Sequence, residues 1–144
     1  MKTIKVGGVP EHFNLPWHLC IEEKLFEDKD LNVIWKDFPG GTGEMNKALR
    51  SGEIDVAVIL TEGIIKDIIS GNESKIIQTY IGSPLVWGIH VAAGSKYKSV
   101  EELKNTKAAI SRKGSGSHLM SYVNAQNHEW NTDNLKFEIV KDLD

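Results

Sequence analysis

The feature that most constrains the fold is a strand, loop and helix rhythm that repeats through the first half of the chain. Residues 54–60 form a nearly continuous apolar run with many β-branched side chains, which is typical of a central parallel strand covered on both faces. Two earlier apolar segments, residues 3–9 and 31–38, run into glycine and proline, and we predict strands there as well. Strands that alternate with helices predict an α/β fold with a mostly parallel sheet and right-handed crossovers.

Three helices are predicted after these strands. The first spans residues 16–27 and starts at a proline, whose missing N–H costs nothing at a helix start. The second spans residues 42–50, with Thr42 as its N-cap and Gly52 placed to end it in the left-handed conformation. The third spans residues 61–71 and ends at a glycine.

The rhythm breaks in the middle of the chain, where two apolar stretches, residues 75–81 and 85–93, follow each other without a helix between them. We interpret this break as a crossing between two lobes. The predicted domains are therefore lobe one at residues 1–82, a hinge crossing at 83–90 and a partial lobe two at 91–144.

Lobe two has its own alternating pattern. Ser99 and Glu102 have the spacing of a capping box, which predicts a short helix because each side chain satisfies a backbone donor of the other residue. The remaining predicted elements are a strand at residues 108–111, a glycine-serine turn at 114–117, a helix at 118–129 and a strand at 135–140.

Charge and cysteine content exclude several classes of partner. The 144 residues carry 17 basic and 20 acidic side chains, a formal charge of -3 without a like-charge block, so no binding of nucleic acid or insertion into a membrane is predicted. One cysteine, Cys20, and five scattered histidines lack the paired spacing of a structural zinc site. We therefore predict no metal and no cofactor. The chain shows no export signal, so its pattern fits an intracellular protein or a mature exported domain equally.

The loops that follow the strands are the candidate binding site, because ligands of parallel α/β sheets bind at the carboxyl ends of the strands. The candidates are Glu11 and His12 after the first strand, Gly41 and Thr42 after the second, and Glu62 after the third. A glycine-rich turn into a helix offers free N–H groups to an anion or a carbonyl oxygen, although it can also be a tight turn and nothing more. Glu62 either complements its helix dipole or pairs with a cationic ligand nitrogen.

The most informative stretch is residues 111–118, which combine three hydroxyls, two cations and two glycines between a strand and a helix. This chemistry suits a polar or acidic ligand headgroup. The candidates here are Ser111, Ser115, Ser117 and His118, and the alternative is a capped turn with solvated charges. Neighbouring pairs such as Ser117 and His118 point apart, so no catalytic dyad is predicted.

A series of phrases resembles the type II periplasmic substrate-binding superfamily, in particular its nitrate, sulfonate, taurine and thiamine-precursor branch. The phrases are Ile4–Val9 (IKVGGV), Phe38–Met45 (FPGGTGEM), Ala48–Ala57 (ALRSGEIDVA), Ser99–Leu103 (SVEEL) and Ala109–Ser117 (AISRKGSGS). The resemblance implies a type II periplasmic-binding-protein architecture with a small polar ligand in a cleft between two lobes, and an ABC transporter permease as a partner. The carboxylate of Glu62 at this edge is a departure that argues against a simple, doubly charged anion as the ligand.

Members of this superfamily are about twice as long as this chain, in keeping with a fold of about 200–300 residues. The return crossing to lobe one is missing, so the chain is either a fragment or is completed by domain swapping or by a homo-oligomer. We therefore expect a solute receptor and not an enzyme. Two alternatives on the same fold are an enzyme similar to thiamine-pyrimidine synthases and a ligand-sensing domain.

Overall fold

The computed structural model describes residues 1–141. It divides into two units, Met1–Gln78 and a second unit that begins at Thr79. Both units combine parallel strands with helices, which confirms the predicted α/β class. None of the helices within residues 1–141 is long and apolar enough to cross a membrane.

Unit 1 contains a parallel three-stranded sheet. Its strands are β1 (Lys2–Gly8), β2 (Leu31–Asp37) and β3 (Val56–Ala57), in the order β2-β1-β3. The first two strands pair along seven residues, whereas β3 is only two residues long and pairs with β1. The apolar run at 54–60 thus forms the predicted strand only in its middle.

The helices of unit 1 are α1 (Leu15–Glu22), α2 (Thr42–Ser51) and α3 (Thr61–Ile69). Helix α1 is shorter than predicted because Lys24 adopts a left-handed conformation, with φ 58°. The Leu25 N–H then bonds to the Cys20 carbonyl at 2.9 Å and the Lys24 N–H to the Ile21 carbonyl at 3.1 Å, which is the hydrogen-bond pattern of a Schellman motif.

The ends of α2 confirm one prediction and correct another. Gly52 is left-handed, with φ 71°, as predicted for the end of this helix. Thr42 is not the N-cap, because that position is occupied by Gly41, with φ 67°, and Thr42 is the first helical residue. Glycine reaches this positive φ at little cost. The N-cap of α2 therefore lies one position earlier than predicted.

The core of unit 1 lies between the sheet and α2. It is formed by Phe38, Met45, Ala48 and Ile54, all at most 2% exposed. Phe38 is held at the end of β2 by the hydrogen bond from its N–H to the Gly8 carbonyl, at 2.8 Å. A Cβ atom on Gly7 would lie 2.6 Å from Phe38 Cε2, so glycine is needed for the ring to pack against β1.

Unit 2 has a smaller sheet of two parallel strands, β4 (Lys107–Ile110) and β5 (Lys136–Ile139), connected through α4 (Gly116–Asn127). The helix predicted from Ser99 is only a single 3-10 turn, Glu101–Leu103. The Glu102 carboxylate still accepts from the Ser99 N–H at 3.4 Å. The turn ends at Lys104, whose ψ of 125° is no longer helical.

Residues 75–94, between α3 and the 3-10 turn at Glu101, form neither a helix nor a strand. Within the described residues, no strand lies between Ala57 and Lys107, and every residue from Lys75 to Gly94 is exposed. The apolar stretches at 75–81 and 85–93 are therefore present as exposed chain and not as paired strands.

Candidate functional site

The loops that follow β1, β2 and β3 lie at one edge of the unit 1 sheet, because the three strands are parallel. Glu11 and His12 are exposed at the start of a 3-10 turn after β1. Gly41 and Thr42 are buried after β2, and Glu62 is half-buried in the first turn of α3. The topology thus brings these five predicted residues to the same edge of one sheet.

The first turns of α2 and α3 contact each other at this edge. A Cβ atom on Gly63 would overlap the Thr42 side chain, so this side chain packs against the Gly63 backbone as closely as a glycine permits. The Asn46 side-chain amide also donates to the Gly63 carbonyl, at 3.4 Å. Sequence reasoning nominated neither Gly63 nor Asn46, and the available signal was a glycine in the first turn of a predicted helix, where alanine is more stable.

An ion pair joins the same two helices beyond their first turns. Arg50 of α2 donates Nε to Asp67 Oδ2 and Nη2 to Asp67 Oδ1, both at 3.0 Å, and Asn72 donates to Asp67 Oδ2 at 2.6 Å. Hydrogen bonding to Arg50 holds the pKa of the Asp67 carboxyl below its ordinary value. This pair fixes α2 against α3 and so helps to keep Thr42 next to Gly63.

The unit 1 edge carries several carboxylates. Glu44 Oε2 accepts from the Gly40 N–H at 2.9 Å, so a carboxylate of the chain already occupies one donor of the predicted glycine turn. Glu11 and Glu62 add two more carboxylates to the edge. Like charges repel a doubly charged anion, and this edge therefore suits a group that donates hydrogen bonds.

The predicted serine turn of unit 2 is a connected hydroxyl cluster. Ser115 Oγ and Ser117 Oγ are 2.9 Å apart, and Ser111 Oγ lies 3.5 Å from Ser117 Oγ. The Ser111 N–H donates to Ser117 Oγ at 3.2 Å. Ser115 is 8% exposed and is the N-cap of α4, where its hydroxyl accepts from the His118 N–H. The structure therefore brings all three predicted serines together.

The start of α4 has backbone donors that the chain does not use within the helix. The His118 N–H is capped by Ser115, and the Leu119 N–H bonds to the Ser115 carbonyl at 3.0 Å. The N–H groups of Gly116 and Ser117 precede these and have no intrahelical acceptor. Together with the positive end of the helix dipole, they suit a carboxylate, sulfonate or carbonyl oxygen.

His118 is held in a fixed orientation by its neighbours. Its Nδ1 accepts from the Gly114 N–H at 3.1 Å, which requires Nδ1 to be unprotonated. Its ring packs edge-on against Phe137, with centroids 4.7 Å apart, and against Tyr122, with centroids 5.2 Å apart. The side chain thus organises the serine turn, and only Nε2 is left to contact a ligand.

Comparison with known proteins assigns this architecture to a class. The protein family described as Ca3427-like PBP, a group of periplasmic binding proteins, matches residues 87–144. A solved structure of the Candida albicans CA3427 gene product, described as defining a new family with the generic periplasmic binding protein fold, superposes with a TM-score of 0.87. The two sequences are 32% identical over 99% of this chain. No curated protein matches significantly.

These matches and the parallel sheets establish the periplasmic-binding-protein fold for this chain. The chain spans 46% of the length of the Candida albicans protein, so just under half of that relative is represented.

Proposed function

We propose that the chain belongs to a solute receptor that binds a small polar ligand through the serine turn of unit 2. The observation that carries this proposal is the cluster of Ser111, Ser115 and Ser117 at the start of α4, beside two backbone N–H groups that have no acceptor within the helix. Each hydroxyl can donate a hydrogen bond, and the helix dipole favours negative charge. The group bound here is therefore an anionic or carbonyl headgroup.

The unit 1 edge contributes a different chemical preference. Its carboxylates at Glu11, Glu44 and Glu62 favour ligand groups that carry N–H donors or a positive charge. The ligand proposed for unit 2 therefore carries an acidic or carbonyl headgroup, such as the sulfonate of taurine. Transfer of such a ligand to an ABC transporter permease is the biological role that the proposal includes.

Isothermal titration calorimetry with taurine, alkanesulfonates, nitrate and aminopyrimidines tests the proposal. We expect one of these probes to bind, and the Ser115→Ala/Ser117→Ala double variant to weaken that binding by about tenfold or more, since each lost hydrogen bond to a charged group is worth about 1.5–3 kcal/mol. Ser70→Ala is the matched control, because Ser70 Oγ donates only within its own helix end, to the Lys66 carbonyl at 2.9 Å.

A single Ser117→Ala variant separates binding from helix stability. It retains Ser115, the N-cap of α4, so α4 keeps its capping hydrogen bond while the ligand loses one hydroxyl. Equal affinity of the wild-type protein and both serine variants for the bound probe would contradict the proposed site.

A further inference from the structure

The two arginines of the chain have different surroundings. Arg50 binds the Asp67 carboxylate through two nitrogens, both at 3.0 Å. Arg112 follows Ser111 at the end of β4, is half-buried, and forms no ion pair with any residue between 1 and 141. A partly buried charge without a partner costs free energy unless an anion pairs with it. Arg112 is therefore free to bind an anion that the described part of the chain does not supply.

The turn fixes the backbone of Arg112 beside the hydroxyl cluster. The Arg112 carbonyl accepts from the Ser115 N–H at 3.2 Å, and the N–H of its neighbour Ser111 donates to Ser117 Oγ, also at 3.2 Å. Arg112 thus belongs to the same loop as the three serine hydroxyls. Its side chain is long enough to reach a headgroup that those hydroxyls bind, and a guanidinium presents parallel N–H donors to the oxygens of an acidic group.

The sequence around this turn is cationic. Residues 103–128 carry four Lys and Arg side chains and no Asp or Glu. Lys107 pairs with Glu138 at 3.0 Å, whereas Arg112 and Lys113 have no ion pair among the described residues. The hydroxyls and backbone N–H groups of the cluster are neutral donors, which suit a carbonyl oxygen as well as an acid. A preference for an acid therefore requires one of these two unpaired cations.

We propose that Arg112 makes the serine turn selective for an acidic headgroup, a carboxylate or sulfonate, over a neutral carbonyl group. This inference rests on the function proposed above and adds a specificity-determining residue to its site. Arg112 fits this role better than Lys113, because Lys113 is exposed and the effect of an exposed charge is reduced by water and salt. The charge of a half-buried side chain is screened less.

Isothermal titration calorimetry with matched pairs of probes tests this inference. Propanesulfonate is negatively charged, and propanesulfonamide has nearly the same shape without the charge; butanoate and butanamide are the corresponding pair for a carboxylate. We expect the wild-type protein to bind one of the acids about tenfold or more tightly than its neutral counterpart, because hydrogen bonds to charged groups are stronger than those between neutral groups. Arg112→Gln should lose most of this preference.

Lys113→Gln is the matched control, because it removes the same charge from the same turn. We expect it to weaken binding of the acid by less than about threefold, since exposed ion pairs contribute little. Arg112→Lys keeps the charge but loses the planar fork of donors, and its affinity for the acid should lie between those of the wild type and Arg112→Gln.

The outcomes separate this inference from the proposed function. Wild-type affinity and selectivity in Arg112→Gln, together with weaker binding in the Ser115→Ala/Ser117→Ala variant, would overturn the inference alone. A wild-type protein that binds a neutral probe as tightly as its acidic counterpart would also overturn only the inference. If no probe binds the wild-type protein, both proposals are wrong.

Chemical modification provides a second measurement on the unsubstituted protein, so it does not depend on how a variant folds. Phenylglyoxal reacts with guanidinium groups, and peptide mass spectrometry follows Arg112 and Arg50 separately. We expect a saturating concentration of the acid that binds to protect Arg112 from modification. Arg50 is the internal control, because Asp67 already binds its guanidinium and its rate should not change. Equal modification of Arg112 with and without the bound acid would contradict the inference.

Discussion

The two units organise their candidate sites by different means. In unit 1 the edge rests on a buried cluster of Phe38, Met45, Ala48 and Ile54, and the helices above it are joined by the Arg50–Asp67 pair. In unit 2 the serine turn is organised mainly by its own hydrogen bonds, such as the one between Ser115 and the His118 N–H. Apolar packing thus positions the first site, and local polar contacts position the second.

This difference has consequences for how each site responds to change. A packed core transmits a lost side chain to every element that touches it, so mutations in unit 1 should act over the whole edge. A turn that is stabilised by local hydrogen bonds should lose only the contact that is removed. Three predictions test this comparison, from the largest expected effect to the smallest.

Phe38→Ala should have the largest effect. It removes a ring that is 1% exposed, and truncation of a buried aromatic lowers the free energy of unfolding by about 3–5 kcal/mol. Ile110→Ala in unit 2 removes a residue that is equally buried, but we expect about 2 kcal/mol, at the low end for such changes, because few buried apolar neighbours surround it. Urea unfolding followed by hydrogen exchange measures each unit separately, and equal losses would break the comparison.

Gly63→Ala should lower the free energy of unfolding by an intermediate amount, whereas its control variant should raise it. The new Cβ would overlap Thr42, so α2 and α3 must separate, and overpacking of this kind costs about 1–3 kcal/mol. Gly43→Ala in α2 is the control, because a Cβ there meets nothing within 4 Å. It should raise the free energy of unfolding by up to about 1 kcal/mol, since alanine favours a helix over glycine. Thermal unfolding of both variants provides the measurement, and a stabilising Gly63→Ala would contradict the close approach.

Protonation of Asp67 in acid should weaken the contact between α2 and α3. We expect this to be the smallest of the three effects on stability. The folded-state pKa of Asp67 is lowered, chiefly by its hydrogen bond with Arg50, so this carboxylate stabilises the fold fully above the ordinary aspartate pKa and loses that contribution as pH falls through the lowered value. The melting temperature of Asp67→Asn should therefore be lower than that of the wild type near neutral pH and should approach it in acid. A difference that stays constant down to the lowest pH would exclude this role.

Much of the fold was predictable because its signals are local. The alternating strand and helix pattern predicted β1, β2 and α2 within a few residues, and Gly52 ended α2 as expected. The serine turn was also predictable, since hydroxyls between a strand and a helix cap that helix. Thr42 was assigned to the wrong position because a threonine and a glycine at adjacent sites can each serve as N-cap, and the local pattern does not distinguish them.

Contacts between distant residues were not predictable in this way. Gly63 against Thr42, and Arg50 with Asp67, join residues 17 or more positions apart, and the identity of such partners depends on how two helices pack. The apolar stretches at 75–81 and 85–93 were recognised from composition. Their exposure could not be recognised, because it depends on how the chain packs in three dimensions.

The amino-acid sequence by itself determined the α/β class, the positions of the turns and the chemistry of the serine cluster, because periodicity, glycine and capping residues act over a few neighbouring positions. Only the tertiary structure decided that the helix starts of unit 1 meet at Gly63, that Glu44 accepts from the Gly40 N–H, and that residues 75–94 are exposed. Those properties arise from packing between elements far apart in the chain, where the energy of a contact depends on the geometry of both partners.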